Sequence, residues 1–132
     1  MATRRLDKVF SDIRADMATH PVSDDLLLHN NEAAIETSIK NLLLTDRYER
    51  LMQPRIGSDL KAMLFENFSA QTERRLADAI RETIENYEPR CNLMDVMIEG
   101  DPDRNQYLAV IEYAVRSSES PQSFSIILDR VR

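Results

Sequence analysis

At 132 residues, 42% hydrophobic and 30% charged, the chain is long enough to bury one core, and its composition excludes both a disordered and a membrane-embedded protein. Its 23 acids outnumber its 17 bases, and a net charge of −6 argues against a dedicated nucleic-acid binder, because phosphate contacts call for a basic excess. The leucine runs Leu26-Leu27-Leu28 and Leu42-Leu43-Leu44 are too short to span a bilayer, and Met1 to Phe10 holds no run resembling a signal peptide. A soluble protein made in a cytoplasm is the expectation.

Residues 1–30 read as an N-terminal arm or short strand, because His20-Pro21 and Asp24-Asp25 interrupt any helical period. Arg4, Arg5 and Lys8 lie together in it and read as a solvated terminal arm. Residues 31–132 read as a single α+β domain. Ile35, Ile39, Leu42 and Leu43 predict a helix that starts after an Asn30 or Asn31 cap and fades near Thr45-Asp46. Arg47 to Gly57, with Pro54, reads as a loop. Ser58 is placed to cap a short helix whose Leu60, Met63 and Leu64 share a face. Ser69 is placed to cap a third and longest helix, with Leu76, Ile80, Ile84 and Tyr87 in one stripe. On its wet side, Asp78 with Arg81 and Arg81 with Glu85 have ion-pair spacing.

From Cys91 the apolar period changes to two. Met94, Val96 and Ile98 predict one strand, and Gly100 to Asn105 a hairpin loop. Tyr107, Ala109, Ile111, Tyr113 and Val115 predict a longer strand. After a polar link, Ser117 to Gln122, Phe124, Ile126 and Leu128 predict a third. Three helices packed on an antiparallel meander is an α+β architecture. Between its halves stands Glu88-Pro89-Arg90. Proline stops the helix and holds Glu88 extended, so an acid and a base are fixed at a rigid corner.

Few residues suggest chemistry. His20 and His29 have no Cys or acid partners at zinc spacing, the chain has two glycines and therefore no phosphate loop, and no nucleophile elbow surrounds a serine. The lone Cys91 excludes an internal disulfide, fits a reducing compartment and reads as a small buried thiol. Two carboxylates suffice for a glycoside hydrolase acting on peptidoglycan, and Glu66 and Glu88 are the candidates. Against that, carbohydrate clefts use flat aromatic surfaces, and this chain has no Trp and 6% aromatics. The plainer reading of Glu66 is a charge near a helix end that pairs with a base.

Several segments keep the order and spacing of one family. Asn31-Glu32-Ala33-Ala34-Ile35 and Ser38-Ile39-Lys40-Asn41-Leu42-Leu43 come first, then Thr45, Glu49-Arg50, Pro54, Gly57, Phe65-Glu66 and Glu88-Pro89-Arg90. Over about residues 31–130 this set resembles the small baseplate wedge protein of contractile-tailed bacteriophages, often labelled lysozyme-like, with relatives in contractile bacteriocins and the type VI secretion system. One departure is Tyr48, which precedes Glu49-Arg50 where many relatives carry glycine.

The resemblance implies a structural component of a virion tail baseplate, assembled in the host bacterial cytoplasm, with no catalytic residues, metal, cofactor, nucleic acid or membrane. Such a protein sits near the tail tube, binds other baseplate wedge proteins including helical-bundle segments, and lays the first ring of tail sheath subunits on a sheet edge. Glu88, Pro89, Arg90 and Arg50 are the candidates for partner contact, and Phe124, Ile126 and Ile127 for pockets along the edge. The residues themselves leave alternatives open. Glu88 can pair inside the chain with Arg50 or Arg55 while Arg90 steadies the helix end, or both charges can face a partner. The plainer reading of Phe124 and Ile126 is that they face the chain's own helices.

Overall fold

The computed structural model describes residues 11–14, 16–19, 21–24, 28–30, 32–116 and 121–130. The arm bases Arg4, Arg5 and Lys8, with His20, lie outside the described residues. Two short strands, β1 (Ser11–Ile13) and β2 (Leu28–Asn30), pair antiparallel ahead of the helices. α1 (Glu32–Leu44) follows, with Ala34, Ile35, Ile39 and Leu43 buried at helical spacing. Of the two expected caps, Asn30 belongs to β2 and Asn31 lies outside the described residues.

The short helix α2 (Leu60–Met63) corrects one expectation. Its N-cap residue is Asp59, which makes no side-chain capping bond. Ser58, 2% exposed, instead donates its hydroxyl to the Leu43 carbonyl at 2.7 Å. That carbonyl lies in the last turn of α1, where helices leave acceptors unsatisfied, so the serine closes the end of one helix rather than the start of another. Beside it Gly57 sits at φ +133, and a β-carbon there would lie 2.6 Å from the Thr45 carbonyl oxygen.

The loop before α2 contains the departure from the family pattern. Tyr48 adopts φ +68, the left-handed region that glycine enters freely, while its side chain is 79% exposed. Its N–H bonds the Pro54 carbonyl at 2.8 Å, so the turn holds despite the tyrosine. A left-handed tyrosine costs about 1–2 kcal/mol, against about 0.5–1 kcal/mol for a glycine's lost entropy. Tyr48→Gly is therefore expected to stabilise the fold by up to about 1 kcal/mol, read as a higher Tm.

α3 (Ala70–Tyr87) is as expected at both ends. The Ser69 hydroxyl oxygen accepts the Thr72 N–H at 3.1 Å, and the helix stops at an extended Glu88 before Pro89. Leu76, Ile80 and Ile84 are at most 1% exposed, and burying each contributes about 1.5–3 kcal/mol. Arg81 differs from expectation. It pairs with Asp95 of the next element at 3.7 Å rather than along its own helix.

The sheet runs in the order β3 (Cys91–Asp101), β4 (Gln106–Val115), β5 (Pro121–Asp129), all antiparallel. The inward residues of β4, from Tyr107 to Val115, are at most 2% exposed. Ile111 lies opposite Val96 on one side and Phe124 on the other, so the three strands share one buried row. In the hairpin, the Asp101 carboxylate accepts the N–H groups of Asp103 and Arg104, and Asn105 takes φ +56. Pro121 and Gln122 belong to β5 rather than to the polar link, as a proline opening a strand allows.

β3 corrects a second expectation. Its register slips between Leu93 and Asp95, leaving Met94 as an extra residue in a bulge, 58% exposed. Met94 therefore does not share a face with Val96 and Ile98. The extra residue changes parity, so Cys91 and Leu93 point inward beside Val96 and Ile98 although their numbers are odd.

Candidate functional site

At the corner, Pro89 brings the two charges of its neighbours into one fork. Glu88 accepts from Arg90 Nε at 2.7 Å and from Nη2 at 2.9 Å, and the Arg90 backbone N–H adds a 3.4 Å contact. The Glu88 side chain is 2% exposed and that of Arg90 26%. The expected partners Arg50 and Arg55 do not pair with Glu88. A base two residues away, held by a proline, needs no loop to be ordered before it can pair. The loop is joined to the end of α3 differently, by the Tyr87 hydroxyl on the Arg55 carbonyl at 2.7 Å.

Burial by itself pushes the Glu88 carboxyl up, but the Arg90 fork and the Ser38 hydroxyl more than offset it and hold the carboxyl below its usual range. The bond to Glu88 likewise raises Arg90. Next in the chain, Cys91 is buried and its thiol is pushed up to about 11 by desolvation, which makes it an inert core group.

A cleft of about 320 Å³ opens beside this pair, between α1, the loop and the end of α3. Asp12 and Ser38 line it and are also groups that act on Arg90 and Glu88. Arg50 stands on its rim, exposed and in no ion pair among the described residues. Beyond Arg50 the loop holds out Leu51, 98% exposed, and Met52, 94% exposed. Pro89 is exposed as well. Asp12, Ser38 and the loop tip escaped the sequence reading. The apolar pair Leu51-Met52 within a loop was the available signal.

The edge candidates separate into two faces. Phe124 and Ile126, 9% and 8% exposed, belong to the chain's own core, with Tyr113 meeting Phe124 edge-on at 5.9 Å and Lys40 5.5 Å above its ring. Ile127 lies on the outer face, 55% exposed. Among the described residues β5 pairs with β4 alone, so one of its edges carries unpaired backbone groups.

The two candidate carboxylates of the enzymatic alternative stand at opposite ends of α3. That helix has 18 residues, about 27 Å of rise, whereas glycosidase carboxylates lie about 5–10 Å apart. Glu66 is bound by Arg75, with both oxygens 2.7 Å from Nη1.

Known proteins resemble most of this chain in sequence and fold. The family described as baseplate wedge protein gp25 matches residues 29–120. The baseplate wedge protein gp25 of Enterobacteria phage T4 is 27% identical over 125 residues, covering 92% of this chain and 90% of that protein. A Geobacter sulfurreducens structure described as a tail lysozyme is 26% identical, with a TM-score of 0.76 over 82% of this chain and 98% of its own. A chain of the anti-feeding prophage baseplate has the same fold at 20% identity, with a TM-score of 0.64 over 93% of this chain and 87% of its own. The fold also recurs in the type VI secretion and pyocin R2 baseplates. The ordered motifs, the three helices on a three-stranded sheet and the family match agree: the chain belongs to the gp25 baseplate wedge family of contractile tail systems.

Proposed function

We propose that this chain is a structural subunit of a contractile-tail baseplate that binds neighbouring wedge subunits around the 88–90 corner and starts the sheath by lending the edge of β5 to an incoming sheath strand. The observation that carries the reading is the contrast between the two sheet edges. β3 is bulged at Met94 and carries Asp95, Glu99 and Asp101, the devices by which an edge repels further strands. β5 pairs without a slip from Pro121 to Asp129 and has no charge before Asp129. An unbulged edge without charges invites strand addition, in which the backbone supplies the affinity.

The corner serves the second contact. Its buried fork fixes the backbone on which Pro89 is displayed, and Arg50 offers a guanidinium for a carboxylate across the cleft. Leu51 and Met52 add a braced apolar tip of the kind that marks protein contact. A helical segment of a larger wedge protein has the shape to fill such a cleft. The tail tube lies close by in this reading, and neither a membrane nor nucleic acid takes part.

The rival reading is a lysozyme-like hydrolase, and the description of the Geobacter sulfurreducens relative favours it. The distance between Glu66 and Glu88 and the Arg75 lock on Glu66 speak for the structural role. One set of preparations tests both. Arg50→Ala and the double change Leu51→Ser, Met52→Ser alter exposed side chains, so stability is expected to stay within about 0.5 kcal/mol. Incorporation into baseplate wedges is expected to fall sharply. Normal incorporation of both variants would remove the loop and its Arg50 from the interface. Peptidoglycan release by the purified protein, abolished by Glu66→Gln or Glu88→Gln, would instead establish the hydrolase.

A further inference from the structure

Beside the free edge of β5 the fold leaves an apolar groove of about 200 Å³ that its own core does not fill. Leu43 and Leu44 from the end of α1, Leu60 and Leu64 from α2, and Leu128 of β5 line it, and Asp129 stands at its rim. Leu44 is the telling residue. It falls off the buried stripe of α1 and is 62% exposed, so the chain's own packing gives little reason for an aliphatic group there.

We infer that this groove selects the strand that adds to β5, taking an aliphatic side chain from its inward face next to a basic residue that meets Asp129. The inference rests on the strand-addition reading proposed above and specifies the chemistry of the partner. A strand added at β5 lies about 4.8 Å beyond it and repeats its alternation of faces. Its inward residues therefore continue the row of Phe124, Ile126 and Leu128 toward the helices, where the groove lies. A dry cavity of about 150 Å³ admits a benzene-sized group, so this one has room for a Leu, Ile or Met side chain.

The charges around the groove complement such a strand. Lys61 lines it but is engaged by Asp46 at 2.7 Å. Asp129 makes no ion pair among the described residues, and the chain as a whole carries −6. A lysine or arginine beside the aliphatic residue thus meets an uncompensated carboxylate. The edge is also held ready, because the Arg130 N–H bonds the Asn105 carbonyl at 3.1 Å and ties the end of β5 to the β3–β4 hairpin.

The test is a binding titration by fluorescence anisotropy with a labelled nonapeptide of alternating Ser and Thr that carries one central Leu followed by Lys. Binding is expected to weaken about tenfold when the peptide's Leu becomes Ala, and by a similar factor for the Leu44→Ser protein with the Leu peptide. Because Leu44 is exposed, that variant keeps its Tm, which is measured alongside. Equal affinity for the Leu and Ala peptides, or no effect of Leu44→Ser, overturns the groove while leaving strand addition standing. Absence of binding by any peptide overturns both.

Discussion

Arg90→Ala is expected to cost about 3 kcal/mol of folding stability, because it leaves the Glu88 carboxylate, 2% exposed, without the fork that compensates its burial. At roughly 4 °C of Tm per kcal/mol for a domain of this size, the loss is readily measured. Glu88→Gln with Arg90 intact removes a charge and keeps an acceptor, so it costs less. Replacing both residues by apolar ones costs less than the single change, since no buried charge is then left unpaired. The excess measured in a double-mutant cycle is the coupling of the pair.

The same pair sets a pH dependence. The Glu88 carboxyl is held below its usual range in the folded protein, so the folded state binds fewer protons than the unfolded chain as pH falls through that range. Its stabilisation is present in full above the ordinary carboxylate range and drains away as pH falls below it. Arg90→Ala removes the main cause of that lowering. The stability gap between wild type and variant, by denaturant titration, should be widest near pH 7 and narrow below about pH 4. A gap that is constant with pH would mean that Arg90 acts by packing alone.

Deleting Met94 is the second large effect, on the order of 3–5 kcal/mol, although Met94 is exposed and Met94→Gln should change little. The bulge residue sets which side of β3 faces the helices. Without it, the strand before Asp95 turns over. Cys91 and Leu93 move to solvent and Asn92 turns inward, which combines lost apolar burial with a buried amide. The corner precedes Cys91 directly, so the deletion also rotates Glu88-Pro89-Arg90 away from α1 and the cleft. A deletion variant that matches wild type in Tm and wedge incorporation would show that the bulge does not position the corner.

These two sites mark where the sequence was and was not legible. α3 announced itself through Ser69, the Leu76-Ile80-Ile84 stripe and Pro89, because cap, period and stop are all local. β4 did so through five alternating apolar residues. The bulge has no residue signature of its own, and the break in alternation from Leu93 to Val96 was the one trace it left. Ser58 looked like a cap because capping is judged from the residues that follow, whereas its bond runs back to Leu43. The Glu88–Arg90 fork depends on a turn geometry that pairing rules for helices and strands do not cover. Along β5, alternation correctly assigned Phe124, Ile126 and Leu128 to one face. Whether that edge was free depended on strand order, which no single strand encodes.

Sheath initiation from β5 is tested most directly by adding purified sheath subunit of the same tail to baseplates assembled with this chain and to baseplates lacking it, and imaging both by electron microscopy. If β5 templates the first layer, a sheath ring forms on the former, with a sheath strand paired along Pro121–Asp129, and none forms on the latter. Sheath growing equally from both, or a ring seated elsewhere with β5 still open, would contradict it.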